Sequence, residues 1–522
     1  MINSFFKKYA TESIAFIVLM CYSVMLNLQF LEGANVNYTF SGHDEYLTVR
    51  EVFSILEPAS FKHFFMGLVA GDIYFYGRMM FYTDALFAFL PYKIWGISAL
   101  VFSIRMTHVL FLFLGVCLLG RTFLKNSLNR AFFYLGVLSL YYSAYFIIIP
   151  KPEPLQLFVL AVFLYYSLKN NWAYGKHFIF LGMAYGLKFN VLLILPLFFL
   201  LPAFNGQFKF KTGLVSAFYF LAGLLIAMPA LLLSPIKPVF LKTYIKSTFK
   251  NTGHYDDTGA TIIEWLKDGL FKYYGGNTLL GLIMFCLFLF LIGLLTINYF
   301  KTKKISSSLI VLLIGFCFLL PVILLTKRMW PHYLWTGFIF MALGLLTFLD
   351  EDILPTKRIN VSKIFILTCF FITSLFSISR IISLKDLSEQ STEIVVNSSK
   401  AHNYLKNKSE TFVAVQDISV WYPYKDFLQT GRYHPFSDTY PYEDLKQKIS
   451  WIDFINPATI EKEKADYILT YLKNFETSIR RHGSLKDEME GKGDSLMRLQ
   501  LNKTVFLDTV FGKVRIYKVV HE

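Results

Sequence analysis

The amino-acid sequence predicts a polytopic α-helical membrane protein with a small α/β domain on the outer side at its C-terminal end. Three observations predict it. Of the 522 residues, 55% are hydrophobic and only 17% charged, more apolar surface than a soluble domain can bury. Uncharged runs of about 18 residues or more recur, each long enough to cross roughly 30 Å of hydrocarbon. Beyond Ser383 the composition turns polar, with short β-rich runs between helical stretches.

Taken in order, Lys7 and Lys8 precede an apolar run over 13–30. The stretch NLQFLEGAN that ends it has no small-residue cleavage site, so the run reads as a retained signal-anchor helix. Residues 31–98 form a first outer loop. Its pieces EPASFKHFFMGLVAG and YTDALFAFLPYKIWG are amphipathic and suit the membrane surface, with a short span over 79–95 as the other option. Spans follow over 99–120 and 131–149. The segment IPKPEPL (149–155) sets three prolines in five residues, which ends one helix and imposes an extended turn before the span at 155–168. The runs 178–188 and 191–204 are each short for a crossing and read as a pair hinged at LKFN (187–190). A span over 213–233 leads to a second outer loop, 234–276, with an amphipathic helix from Thr261 to Phe271. Spans over 277–299, 307–325, 333–349 and 364–380 bring the expected count to about 11.

Lys and Arg gather in alternate connectors, among them Arg121/Lys125/Arg130, Lys209/Lys211 and Lys301/Lys303/Lys304. The positive-inside rule puts those connectors and the N-terminus in the cytoplasm, and an odd number of crossings puts the C-terminus outside. The net charge of +15 thus belongs to topology, with no nucleic-acid partner implied. Residues 1–383 make the membrane part and 384–522 an extracytoplasmic domain. In the latter, TFVAVQDI (411–418), ADYILTYL (465–472) and TVFLDTVFGKVRIYKVV (504–520) read as strands, the last a hairpin turning near 511–513. Helices are expected over 397–407 and 441–455. The five cysteines lie in apolar runs without metal-type spacing, as packed helix residues.

The charges sort by level. The interiors 279–297, 308–325 and 364–379 hold no ionisable side chain except cysteine, whereas an ion-coupled transporter keeps such groups near the midplane. The candidates gather instead at the outer interface: His43/Asp44/Glu45, Lys151/Glu153, Lys188, Arg328/His332 and His254/Asp256/Asp257. A carboxylate at that interface is partly desolvated and strengthened as a base, so Asp44 or Glu45 suits proton abstraction from an acceptor hydroxyl. Lys151, Lys188, Arg328 and His332 suit an anionic leaving group such as a phosphate. No nucleotide-binding glycine loop is present, which fits a donor carried by lipid on the outer face.

These features resemble the GT-C superfamily of integral-membrane glycosyltransferases that use polyprenyl-phosphate sugars, among them protein O-mannosyltransferases and lipid A aminoarabinose transferases. The matching stretches are HDE (43–45), FLPYKIWGISALVFSIRMTHVLFLFLGVCLLGRTFL (89–124), PKPEP (150–154), LGMAYGLKFNVLLILP (181–196) and KRMWPHYL (327–334), in the family's order over about 300 residues. The resemblance implies Asp44 as catalytic base, with Glu45 its neighbour. Glu153 takes the place of a second-loop carboxylate that binds acceptor or, in some relatives, a divalent metal together with the first. Arg105 matches the arginine opening the second span, Lys188 the lysine after GMAYGL, and Arg328/His332 the late basic motif near the donor phosphate. Glu153 where many members have Asp, and the additional Lys151, depart from the pattern and leave acceptor class and metal use open. The implied reaction is an inverting transfer from a polyprenyl-phosphate sugar to a glycan, lipid or protein acceptor at the outer face of the plasma membrane. The plainer readings are a helix cap for Asp44, an exposed ion pair for Lys151/Glu153, a headgroup-seeking Arg105 and an interfacial anchor for Arg328. The competing functions are a lipid-linked glycan transporter and a non-catalytic membrane scaffold.

Overall fold

The computed structural model describes residues 2–28, 31–32, 37–38, 43–58, 60–69, 77–232, 261–274, 277–325, 331–351, 366–368, 371–372, 374–375, 397, 400–401, 404, 413–416, 449–452, 466–471, 505–512 and 514–520. The membrane part runs α1 (Ile2–Leu28), α2 (His43–Leu56), α3 (Phe61–Val69), α4 (Arg78–Trp95), α5 (Ile97–Phe123), α6 (Ser127–Leu138), α7 (Tyr141–Ile148), α8 (Glu153–Lys169), α9 (Phe178–Leu187), α10 (Leu195–Phe204) and α11 (Phe210–Ala227). A mixed α/π segment, Ile262–Tyr274, follows, and then α12 (Thr278–Thr302), α13 (Ser307–Leu325) and α14 (Trp335–Asp350). Among the described residues six helices are long and apolar enough to cross a bilayer, and the pair α6–α7, bent by 61°, makes a seventh. The chain is a multi-pass membrane protein.

The bend in 131–149 has a local cause. The helix stops at Leu138, and the Ser143 hydroxyl donates to the Val137 carbonyl at 2.6 Å beside the Leu140 N–H, while Trp335 on α14 donates its indole N–H to Ser143 Oγ at 3.0 Å. In 178–204 the two short runs, expected as a pair hinged at 187–190, form a hairpin. Phe199 lies 5.3 Å from Phe178, the Tyr174 hydroxyl donates to the Phe199 carbonyl at 2.6 Å, and Phe163 touches both Phe178 and Phe198. α9 and α10 are therefore folded back on each other, with Lys188 near the tip. The ten residues of α9 span about 15 Å, half the hydrocarbon thickness, so α9 alone is not a crossing. The expected total of eleven is not reproduced among the described residues.

Glycine decides the closest helix contact. α9 meets α11 where a Cβ on Gly182 would stand 1.9 Å from the Phe220 carbonyl oxygen, and one on Gly223 1.9 Å from that of Ile179. Small residues at such positions let apolar helices associate through backbone packing in lipid.

One end of the bundle is tied by carboxylates to the basic connectors. Glu12 takes Arg121 at 3.0 Å, Arg130 at 3.4 Å and the Tyr134 hydroxyl at 3.0 Å. Asp350 accepts the backbone N–H groups of Lys125 and Asn126 and the Asn129 amide, and Glu351 caps the first turn of α13 through Ser307 and Ser308. At the other end Arg105 donates to Asn27 Oδ1 at 3.1 Å, joining α5 to the end of α1.

The C-terminal part forms a five-stranded sheet in the order β4 (Ile449–Ile452), β3 (Val413–Gln416), β5 (Tyr467–Tyr471), β7 (Val514–Val519), β6 (Val505–Phe511). β3 is parallel to β4 and β5, and β7 is antiparallel to β5 and β6. The hairpin turns at Gly512, whose φ of 56° suits glycine. Ile449–Ile452, expected within a helix over 441–455, is instead strand β4: ISWI is β-branched and aromatic, and pairing with β3 outweighs local pattern. Two residues at the start of β1 (Leu31–Glu32) pair with β2 (Asn37–Tyr38) in the first loop.

Candidate functional site

The proline-rich turn is built as its composition dictates. α7 ends at Ile148 and α8 starts at Glu153, with Pro154 in the first turn, where its missing N–H costs nothing. Glu153 is thereby held at a helix N-terminus, which favours its negative charge. It is 2% exposed.

Lys188 stands where α9 breaks. Its backbone is extended (φ −156°, ψ 130°), and its Nζ donates to Glu153 Oε1 at 2.5 Å. The same Nζ lies 5.0 Å from the centre of the Tyr333 ring. Lys151, 3% exposed, lies with its Nζ 5.7 Å from the Tyr145 ring. Aromatic contacts close the circuit: His332 packs on Tyr333 at 4.6 Å and on Tyr142 at 6.1 Å, and Tyr142 packs on Tyr145 at 5.7 Å. Tyr274, from the far end of the second outer loop, stacks on Tyr142 at 5.9 Å. Lys151, Glu153, Lys188 and His332, up to 181 positions apart, thus belong to one cluster of contacts. Among the described residues it brings together two ammonium groups and one carboxylate, and ammonium groups suit an anion.

Asp44 and Glu45 stand in the first turn of α2. The body of this helix is docked beside the cluster. Thr48, one turn after Asp44, donates to the Pro150 carbonyl at 3.4 Å. Glu51, a turn further along the same face, takes Arg78 at 2.5 Å with both groups buried. Arg78 also donates to the Gly67 carbonyl and lies 4.6 Å from the Phe81 ring. The preceding residue, Gly77, donates its N–H to the Leu187 carbonyl at 3.2 Å, and a Cβ there would come within 2.5 Å of the Gly186 carbonyl oxygen. One chain of contacts therefore runs from α2 through Glu51–Arg78 to the residue before Lys188.

Arg105 is placed elsewhere, on Asn27 at the end of α1 and 3% exposed. Arg328 and the HYDD stretch 254–257 lie outside the described residues. The Glu51–Arg78 pair and the amide of Gln156, which spans the break at Lys188, were not anticipated. A buried pair 27 positions apart in a loop carries no periodic signal, and a lone Gln in an apolar helix reads as an incidental polar residue.

Among the described residues no three His, Cys, Asp or Glu side chains gather as metal ligands. Glu153, one of the two carboxylates that the resemblance implies as ligands, has one oxygen on the Lys188 ammonium. Its other oxygen, Oε2, is buried with no hydrogen-bond partner among the described residues, so Glu153 keeps one oxygen for a further ligand.

No family model and no curated protein matches the chain. The fold is similar to that of ArnT from Cupriavidus metallidurans. The structure bound to undecaprenyl phosphate aligns with a TM-score of 0.56 at 10% identity, over 97% of this chain and 98% of that one. The apo structure aligns with a TM-score of 0.57 at 9% identity, over 97% of each. The chain therefore has an ArnT-like fold along nearly its whole length.

Proposed function

We propose that the protein is a membrane glycosyltransferase that moves a sugar from a polyprenyl-phosphate donor to an acceptor on the outer face of the plasma membrane. The observation that carries this reading is the convergence of Lys151, Glu153, Lys188 and His332 on one cluster beside the helix that bears Asp44. A solved relative in fold, ArnT, binds undecaprenyl phosphate, and an anion with a long apolar tail suits a cationic cluster inside a bundle of apolar helices.

In this reading Asp44 accepts the proton of the acceptor hydroxyl as its oxygen attacks the anomeric carbon, with Glu45 beside it. The bond from that carbon to the phosphate oxygen breaks, the anomeric configuration inverts and polyprenyl phosphate leaves. Lys188 donates to Glu153, which aims the ammonium, and its positive charge serves the phosphate. Lys151 and Arg328 add positive charge, and His332 a ring N–H, where the leaving group gains its negative charge. Arg105 binds further along the donor. The N-terminus is cytoplasmic, and residues 384–522 form an extracytoplasmic domain that contacts the acceptor.

The test is direct. Full-length protein in nanodiscs is mixed with the polyprenyl-phosphate-sugar pool and the envelope glycans extracted from its host, and lipids are followed by mass spectrometry. One donor species falls and polyprenyl phosphate rises in step if the reading holds. An unchanged donor pool with active, folded protein would contradict it.

A further inference from the structure

We infer that Gln156 is a positioning residue that holds the tip of the α9–α10 hairpin, and with it the Lys188 ammonium, in place. The backbone supplies the reason. Where a helix stops, its last carbonyls lose their partners and need donors from elsewhere, and inside an apolar bundle water does not provide them. α9 stops at Leu187, and after the extended Lys188 a 3₁₀ helix runs over Phe189–Ile194, with neither glycine nor proline at the break. The Lys188 N–H reaches the Ala184 carbonyl only at 3.4 Å.

Gln156 supplies the donors. It lies on α8, one turn after Glu153, and is 1% exposed. Its Nε2 is 2.9 Å from the Ala184 carbonyl, 2.8 Å from the Lys188 carbonyl and 2.9 Å from Asn190 Oδ1. All three are acceptors, so the amide nitrogen faces the break and Oε1 faces away, where it has no partner. A single side chain thus ties the last turn of α9, Lys188 and the first turn beyond. Glu153, three residues earlier on the same helix face, takes the other end of Lys188, at Nζ. α8 grips Lys188 by backbone and by ammonium together.

The inference concerns the placement of Lys188, and only its consequence for phosphate rests on the proposed function. Two readouts separate them. Full-length wild type, Gln156→Met, Gln156→Glu and Asn190→Ala are acetylated briefly with an N-hydroxysuccinimide ester, and each lysine is quantified by mass spectrometry. Met keeps length and bulk without donors, whereas Glu sets a carboxylate against two carbonyls. Lys188 labelling relative to exposed Lys303 should rise on the order of tenfold in Gln156→Met, the equivalent of one or two lost hydrogen bonds. It should rise further in Gln156→Glu and least in Asn190→Ala, with Lys151 labelling unchanged. Lys188 labelling at the wild-type level in both Gln156 variants overturns the inference. So does a rise shared equally by Lys151 and Lys188, because that reports general loosening. The second readout is binding of undecaprenyl phosphate to the same samples and to Lys188→Gln. Weaker binding in Gln156→Met and in Lys188→Gln extends the placement to the anion. Should Lys188→Gln bind as wild type does while Lys188 labelling still follows Gln156, the placement stands and the phosphate role of Lys188 falls.

Discussion

Replacing Lys188 with Met is the most informative single perturbation of stability. Met keeps most of the volume and removes the ammonium from Glu153, whose carboxylate is 2% exposed and would be left without its partner at 2.5 Å. Losing one member of a buried pair costs about 3–5 kcal/mol, chiefly because the remaining charge stays desolvated. Glu153→Gln removes the charge from the other side and strands the ammonium, with a cost of similar size. The double variant strands neither, so its cost should fall well below the sum of the two singles. The predicted coupling is roughly 2–3 kcal/mol, within the range measured for residues in contact. The assay is unfolding of the four full-length proteins in one detergent, followed by tryptophan fluorescence against denaturant. Additive costs, or a Lys188→Met protein as stable as wild type, would refute the reasoning, since the carboxylate would then have another source of charge compensation.

Other expectations follow from the same geometry. Asp44→Asn should lower transfer by about 10²–10⁴-fold, the usual contribution of a general base, while size-exclusion profile and unfolding midpoint stay at wild-type values. Gly182→Val should destabilise by about 1–3 kcal/mol or more, because its Cβ meets the Phe220 carbonyl at 1.9 Å; an unchanged midpoint would mean that α9 and α11 are less closely packed. Trp335→Phe removes the indole donor to Ser143 and should cost about 1 kcal/mol, read by the same titration. Burial against Phe163, outside the spans, pushes His177 down to about 4 from its ordinary 6.5. The unfolded chain therefore binds the proton first, and stability present above pH 6.5 is lost as pH falls toward 4. The effect amounts to roughly 2–3 kcal/mol. A His177→Phe variant should show a flatter pH profile of unfolding over that window, and an identical profile would contradict the assignment.

Much of this was legible from residues alone, for identifiable reasons. Three prolines in 150–154 can form only a break, and the structure ends α7 and starts α8 there. Lys188 in an apolar stretch is expensive unless paired, which singled it out before any partner was visible. The hinge in 178–204 was legible from two apolar runs each too short to cross, whereas the packing that closes the hairpin, Tyr174 and Phe178 against Phe199, was not. Strand β4 was missed because four residues carry too little pattern without their neighbour β3. The Glu51–Arg78 tie depends on a close approach between elements that no local spacing encodes.

The measurement that bears most directly on the central claim is a mass profile of surface and lipid-linked glycans in three strains of the native host: wild type, deletion, and Asp44→Asn expressed at wild-type level. The account predicts that deletion and Asp44→Asn both lose the same single sugar while its polyprenyl-phosphate form accumulates. A complete glycan in the Asp44→Asn strain would contradict it.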